Sequence, residues 1–393
     1  MQIRAAGFDL AAIVQTNTRT RCEFECVYRP APGMGALKVS WGMLSLRLAS
    51  QDVPVEELVR DALWFPEDFQ PARQLLSFTH ASRETLASEP FLDQRWTHDG
   101  SHHQAPLDVV AAAIGPRRMA NLNFIWHTSF CCSTLVAHAL DRPGHNLALS
   151  EPLVLVSMAD AKRSASLEQG WQLSRLPETV FRLLGRPECE GAQVLVKPSN
   201  FANALVGDAA RLTAGKSLFL YSDLASFLVS IAKSGVSLRK YVRRLFSTLT
   251  ANMRDQLPWS WAEIFQMSDL EIAALAWHMQ ITEFRTAWAQ LGPSRAASLD
   301  CDAFLRHPAQ AMAKLDAFFE LGLGEEWIGQ VLSGPRFKQH AKVPGEPFDT
   351  ASRQEQAAAT RRQFGKDLDR VVEWSYRACP ATPHGAPLPN PVM

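Results

Sequence analysis

Three short apolar runs, each ending in a loop, constrain this chain more than any other feature of its sequence. Leu122–Trp126, Ala192–Val196 and Leu218–Tyr221 are four or five residues long and carry at most one polar residue each. Runs of this kind suit strands buried on both faces, because a strand with one wet side would alternate apolar and polar residues. Helical spacing follows the first and third runs, at Ser133–Leu140 and Leu224–Lys233. The order strand, loop, helix, strand, strand, helix predicts an α/β core: a parallel sheet covered by helices. No self-similarity recurs at periods of roughly 20–50 residues, so solenoids and propellers are excluded.

The flanks read differently. The first fifty or so residues hold short strand-like runs, Glu23–Tyr28 and Ala36–Leu48, broken by Pro30-Ala31-Pro32-Gly33. A helix is expected near Val55–Leu63, and the polar stretch Thr97–Pro106 is expected to be an exposed loop. From Ser237 onward helical spacing dominates, over Leu238–Met253, Asp269–Leu291, Pro308–Leu321 and Ser352–Arg377. Ser352 with Glu355 has the form of a capping box. The sequence therefore predicts a small accessory α+β domain over 1–115 and the main domain, with a helical second half, over 116–378. Residues 379–393 carry five prolines and are expected to be disordered.

Charge narrows the function classes. Lys plus Arg and Asp plus Glu both number 40, which argues against a nucleic-acid coat or a polybasic membrane binder, whose affinity rests on summed positive charge. No apolar stretch approaches the ~20 residues of a membrane helix. Met1–Leu10 leads into no apolar run, so no secretory leader is expected. Seven cysteines, an odd number without disulfide-framework spacing, suggest a reduced, cytoplasmic protein.

The chemistry concentrates where the first strand meets its helix, in Phe124-Ile125-Trp126-His127-Thr128-Ser129-Phe130-Cys131-Cys132-Ser133-Thr134-Leu135. The amides that open a helix are unsatisfied donors and its dipole is positive there, so the turn can hold a phosphate or sulfate. Ser129, Ser133 and Thr134 add hydroxyls. The turn lacks the Gly and Lys of a Walker loop. Gly215-Lys216-Ser217 holds part of that motif but precedes a strand. No serine sits in Gly-x-Ser-x-Gly. Cys131 and Cys132 are either packing thiols or, with a pKa lowered at a helix start, a nucleophile. His127 and Lys197 end strands, where parallel sheets place ligand-facing residues. Arg239, Lys240, Arg243 and Arg244 form a basic stripe on a helix. Cys22/Cys26 and His98/Asp99/His102/His103 lack the paired spacing of a zinc site, so no metal is expected.

This strand-loop-helix, with its spacing to later segments, resembles the sulfotransferase-like branch of P-loop proteins, especially bacterial members, over roughly residues 120–377. Glu151-Pro152 resembles the Glu-Pro segment after the family's first helix. Val194-Leu195-Val196-Lys197-Pro198 is similar to the strand whose Lys nears the reacting centre. Ser217–Ser230 resembles the 3'-phosphate strand and helix, Leu299–Leu321 a late helix pair, and Arg336–Lys342 a basic segment near the cofactor. The resemblance implies a three-layer P-loop fold and a sulfuryl-group transferase using 3'-phosphoadenosine 5'-phosphosulfate. Thr128, Ser129, Cys131, Cys132, Ser133 and Thr134 would hold the 5' end. Ser222, Ser230, Arg336 and Lys338 would serve the 3'-phosphate, with Lys197 and His127 catalytic. The acceptor would be a small molecule or peptide, and a homodimer is left open. The turn carries no basic residue, Ser222 stands where the family has Arg, and Ser199-Asn200 follow Lys197-Pro198 where a catalytic His is common. The competing readings are a phosphotransferase using ATP with magnesium and a non-catalytic nucleotide-binding partner.

Overall fold

The computed structural model of the chain describes residues 53–98, 100–115, 122–164, 175–233, 235–251, 257–334, 337, 350–385 and 387–393, with three strands among the first 26 residues. It divides into two compact units, Met1–Asp52 and Val53–Met393. In the first, β1 (Ile3–Ala5), β2 (Phe8–Ile13) and β3 (Glu23–Cys26) pair antiparallel in that order.

The second unit holds two sheets. β4 (Trp64–Gln70), β5 (Leu75–His80) and β6 (His102–Pro106) form an antiparallel meander. β7 (Leu122–His127), β8 (Asn146–Ser150), β9 (Gln193–Lys197), β10 (Ser217–Tyr221) and β11 (Ala296–Asp300) form a wholly parallel sheet in the order β11-β10-β7-β9-β8. β7 is central and buried at all six positions. The chain moves from it first toward β8 and later toward β10, so the strand order reverses beside its carboxyl end. Open α/β sheets bind ligands at such a point.

Period-two alternation divides each strand between two cores. Phe124, Trp126, Val194, Val196, Phe219 and Tyr221 enter one apolar cluster, with Met158, Phe227 and Trp277 from helices Leu153–Ser164, Leu224–Ala232 and Asp269–Leu291. Ile125, Leu195, Leu218 and Leu220 enter the other, with Val136, Met312 and Ile328 from helices Ser133–Leu140, Pro308–Phe319 and Gly324–Ser333. The expectation of strands apolar on both faces is met. Capping boxes open two helices, Ser260 with Glu263 and Ser268 with Glu271. No helix among the described residues is long and apolar enough to cross a membrane.

Four expectations are revised. Residues 53–115 are not a separate body, since Trp64, Leu76, Phe78 and Val110 belong to the same core as Phe124 and Trp126. Part of Thr97–Pro106 is not a loop: His102–Pro106 is β6, its backbone paired to β5 from Leu75 to Thr79. The Pro-rich end is ordered along β11, where Leu388 is buried and Pro391 bridges Ser298. The last helix runs Thr350–Ala378, so it begins before the Ser352 capping signal.

Candidate functional site

β7 delivers His127 to the carboxyl edge of the sheet, and five residues connect it to the helix Ser133–Leu140. Ser129, Phe130 and Cys132 adopt φ of 76°, 55° and 57°. Left-handed backbone at residues other than glycine costs about 1–2 kcal/mol each, so neighbouring contacts must hold it. The Ser129 amide donates to His127 Nδ1 at 3.1 Å, and the Ser222 hydroxyl donates to the Phe130 carbonyl at 3.2 Å. The Tyr241 hydroxyl donates to Asn200 Oδ1 at 2.8 Å, so the Ser129 hydroxyl, 2.6 Å away, donates to Tyr241. Asn200 and Asn203 both donate to Gln280 Oε1, and Asn203 also donates to the His127 carbonyl. Burial pushes the Tyr241 phenol well above its ordinary pKa, which keeps this chain of donors neutral.

On the neighbouring strand end, Lys197 is fully buried. Its ammonium lies 2.6 Å from Glu151 Oε1 and donates to Thr134 Oγ1 at 3.2 Å. Arg95 lies 3.8 Å from the other Glu151 oxygen, and Phe91 packs under Arg95 and within 5.7 Å of the Lys197 ammonium. The Glu-Pro segment and the strand-end lysine, separate in sequence, thus meet as one buried ion pair.

Cys132 caps the helix without a side-chain cap bond. Its sulfur instead accepts from Arg353 Nη1 at 3.0 Å, and Arg353 also reaches Cys301 at 3.6 Å. The Cys301 thiol donating to it, followed by the Arg353 guanidinium, lowers the Cys132 pKa against the cost of burial. Cys301, hydrogen-bonded to Cys132 and buried beside it, has its pKa pushed up. Cys131 behaves differently: it is buried and donates to the Leu220 carbonyl at 3.5 Å.

Arg353 also lines a cleft of about 290 Å³ together with Ser230, Lys233, Asp302, Arg306 and Arg361. The lining carries four cations against one carboxylate, and Arg353 and Asp302 approach to 3.7 Å. Burial, then the Arg353 charge, depresses the Lys233 pKa. A concave surface with excess positive charge attracts an anion. Within it, the Ser230 hydroxyl donates to the Ser226 carbonyl at 3.1 Å.

Of the residues singled out from sequence, Ser230 lines this cleft while Ser222 turns away to Phe130. Thr128, Ser129, Cys131, Ser133 and Thr134 are buried, Cys132 is half-buried, and none of them lines the cleft. Cys22, Asp99, Arg336 and Lys338 lie outside the described residues. Lys216 is tied to Glu320 and the Phe318 carbonyl, consistent with an accidental Gly-Lys-Ser. Arg243 pairs with Asp269 at 2.6 Å and Arg244 lies over Phe201, which accounts for part of the basic stripe. Sequence reasoning missed Lys233, Arg306, Arg353 and Arg361. One signal was present: Arg353, Ala357 and Arg361 recur every four residues, which puts both guanidiniums on one helical face.

No protein-family profile matches the chain, and no curated protein matches it in sequence. Among solved structures, it is similar to the sulfotransferase domain from the curacin biosynthetic pathway, at TM-score 0.40 and 13% identity, over 63% of this chain and 99% of that one. It is also similar to the sulfotransferase domain from the Synechococcus PCC 7002 olefin synthase, at TM-score 0.36 and 12% identity, over 64% and 96%. At that level the likeness is distant and assigns no residue.

Proposed function

We propose that this chain is a sulfotransferase-like transferase that binds 3'-phosphoadenosine 5'-phosphosulfate and moves its sulfuryl group to a hydroxyl or amine of a small-molecule or peptide acceptor. The observation that carries the reading is the cleft at Ser230, where Lys233, Arg306, Arg353 and Arg361 outnumber Asp302. In this reading the 3'-phosphate sits there, in charge-assisted bonds to guanidinium groups. The missing Arg at Ser222 is then replaced by cations from three other segments.

The 5' end goes to the turn at 128–134. That turn is buried, so the nucleotide has to displace a contact, and the Arg353–Cys132 bond is the one bordering the cleft. The exchange is between similar partners, because the guanidinium leaves a sulfur and meets a phosphate oxygen. At the reacting centre the acceptor oxygen or nitrogen forms a bond to sulfur as the phosphate oxygen–sulfur bond breaks. The acceptor's proton passes to His127 Nδ1 once the Ser129 amide releases that nitrogen, and Lys197 stabilises the negative charge developing on the leaving phosphate. Lys197 must exchange Glu151 for the substrate to do so.

The test is thermal unfolding with 3'-phosphoadenosine 5'-phosphate. Ligand at one hundred times its dissociation constant adds about 2.7 kcal/mol of stability, and Arg353→Ala/Arg361→Ala should abolish the shift. No shift at millimolar ligand, or an equal shift in the double variant, overturns the proposal. A shift seen only with ATP and magnesium favours the phosphotransferase instead.

A further inference from the structure

We propose that Glu67, His98 and His102 form a binding site for a divalent first-row transition metal ion, for which Zn²⁺ is the probe. Two imidazoles and one carboxylate converge, each offering a ligand atom, and these atoms all lie within 4.8 Å of one another. Glu67 Oε1 is 3.7 Å from His98 Nε2, and Glu67 Oε2 is 3.2 Å from His102 Nδ1. A tetrahedral ion with bonds of ~2.0–2.1 Å holds its ligands roughly 3.3 Å apart. Those two separations run to different oxygens of the one carboxylate, one toward each imidazole, and the ring centroids of the two histidines are 4.8 Å apart.

The fold supplies the three side chains deliberately. β4 carries a bulge at Glu67, the residue skipped between the pairs Pro66–Phe78 and Asp68–Ser77. A bulge releases one residue from the ladder and re-aims its side chain. His102 sits opposite Thr79 in the β5–β6 register. His98 precedes β6, its ring 4.0 Å from that of Trp96 and 4.8 Å from that of His102. Between the histidines the chain passes so close to β5 that a Cβ on Gly100 would lie 2.3 Å from the His80 carbonyl oxygen. Only glycine fits there.

The surroundings fit a metal as well. Buried Thr79 donates its hydroxyl to Glu67 Oε2 at 2.5 Å and lies 3.0 Å from His102 Nδ1. The bond to Glu67 is the outer contact that orients a ligating carboxylate in metal sites. The three side chains are 10–23% exposed, sheltered yet within reach of an ion. Imidazole nitrogen with carboxylate oxygen selects zinc, iron or their neighbours over calcium or magnesium. Three protein ligands leave the fourth position of a tetrahedral ion to water. The site also anchors a segment that matters elsewhere: Leu92 pairs through its backbone with Ser150 and Leu153, and Arg95 approaches Glu151. A metal on His98 would tether that segment beside the Lys197–Glu151 pair.

The test is titration of the metal-stripped full chain with Zn²⁺ by calorimetry and with Co²⁺ by visible absorption. One equivalent should bind. His98→Ala and His102→Ala should each weaken binding at least about tenfold, and Thr79→Val should do so by about tenfold. His103→Ala, on the alternate face of β6, should leave it unchanged. Glu67→Gln keeps the carboxylate's shape and tests the site should a histidine variant unfold. The Co²⁺ spectrum should lack the intense thiolate band that binding at Cys132 or Cys301 would give. Absence of stoichiometric binding, equal affinity in Glu67→Gln and the histidine variants, or a thiolate band overturns the proposal.

Discussion

Lys197 has 0% exposure, and its charge is compensated by Glu151, 2.6 Å away, and by the Thr134 hydroxyl oxygen. Removing one member of a buried ion pair strands the other, at a cost of about 3–5 kcal/mol, whereas replacing both by apolar groups is often neutral. Lys197→Met should therefore lower stability by about 3 kcal/mol, the low end, since Arg95 stays 3.8 Å from Glu151. Lys197→Met/Glu151→Leu should recover most of that loss. Urea unfolding midpoints check both, and a single-variant loss under about 1 kcal/mol would mean that the pair is not what holds the lysine in place. From sequence a lysine closing an apolar strand has no packing explanation. The structure supplies a partner forty-six residues away, at a distance that no local spacing encodes. The cations of the cleft were hidden for the same reason: each is ordinary in its own helix, and only their convergence gives them meaning.

At the scale of the element, the helix Asp269–Leu291 places His278 at the interface with the last helix. The Ser375 hydroxyl donates to the Val372 carbonyl, so His278 Nε2 carries the proton and donates to Ser375 Oγ at 3.1 Å. Nδ1 is buried with no hydrogen-bond partner among the described residues. Protonating it would bury a charge without an acceptor, and desolvation, then the His384 charge, lowers the His278 pKa to about 4. The unfolded chain, at about 6.5, binds this proton more readily, so stability is full above pH 6.5 and falls as pH drops toward 4. The loss over that window is up to roughly 3 kcal/mol. His278→Gln should flatten this part of the stability–pH curve, and an unchanged slope in that variant would sink the assignment. Elements like this helix are legible in sequence because apolar residues recur three or four apart along them. β6 is not: it buries only Ala105, so its pairing rests on backbone bonds that leave no hydrophobic trace. Nor does sequence announce three left-handed residues in a turn without glycine.

The whole molecule closes its parallel sheet with its own end. β11 is an edge strand, and an exposed edge presents unpaired amides and carbonyls to other chains. Here residues 387–393 run along it: the Ser298 amide donates to the Asn390 carbonyl at 2.9 Å, and the Val392 amide donates to the Ser298 carbonyl at 2.8 Å. Pro391 falls between these two bonds, where the ladder asks for no amide, so proline is compatible with an edge strand. Proline content alone suggested disorder because it reports what a residue cannot donate and not which positions need a donor. Asn390 adds a bond to the Ala296 carbonyl at 2.7 Å, Ser298 one to the Pro389 carbonyl at 2.9 Å, and Arg285 one to the Pro387 carbonyl at 3.0 Å. With Leu388 only 2% exposed, worth about 2 kcal/mol, and the five bonds at about 0.5–1 kcal/mol each, deleting residues 387–393 should cost about 5 kcal/mol. It should also bare the edge of β11, so the truncated chain should elute partly as larger species in size exclusion at high concentration. Denaturant unfolding of the truncated and full chains decides the matter. A change within about 0.5 kcal/mol, with an unaltered elution profile, is what an unstructured tail would give, and it would overturn the edge-covering role of residues 387–393.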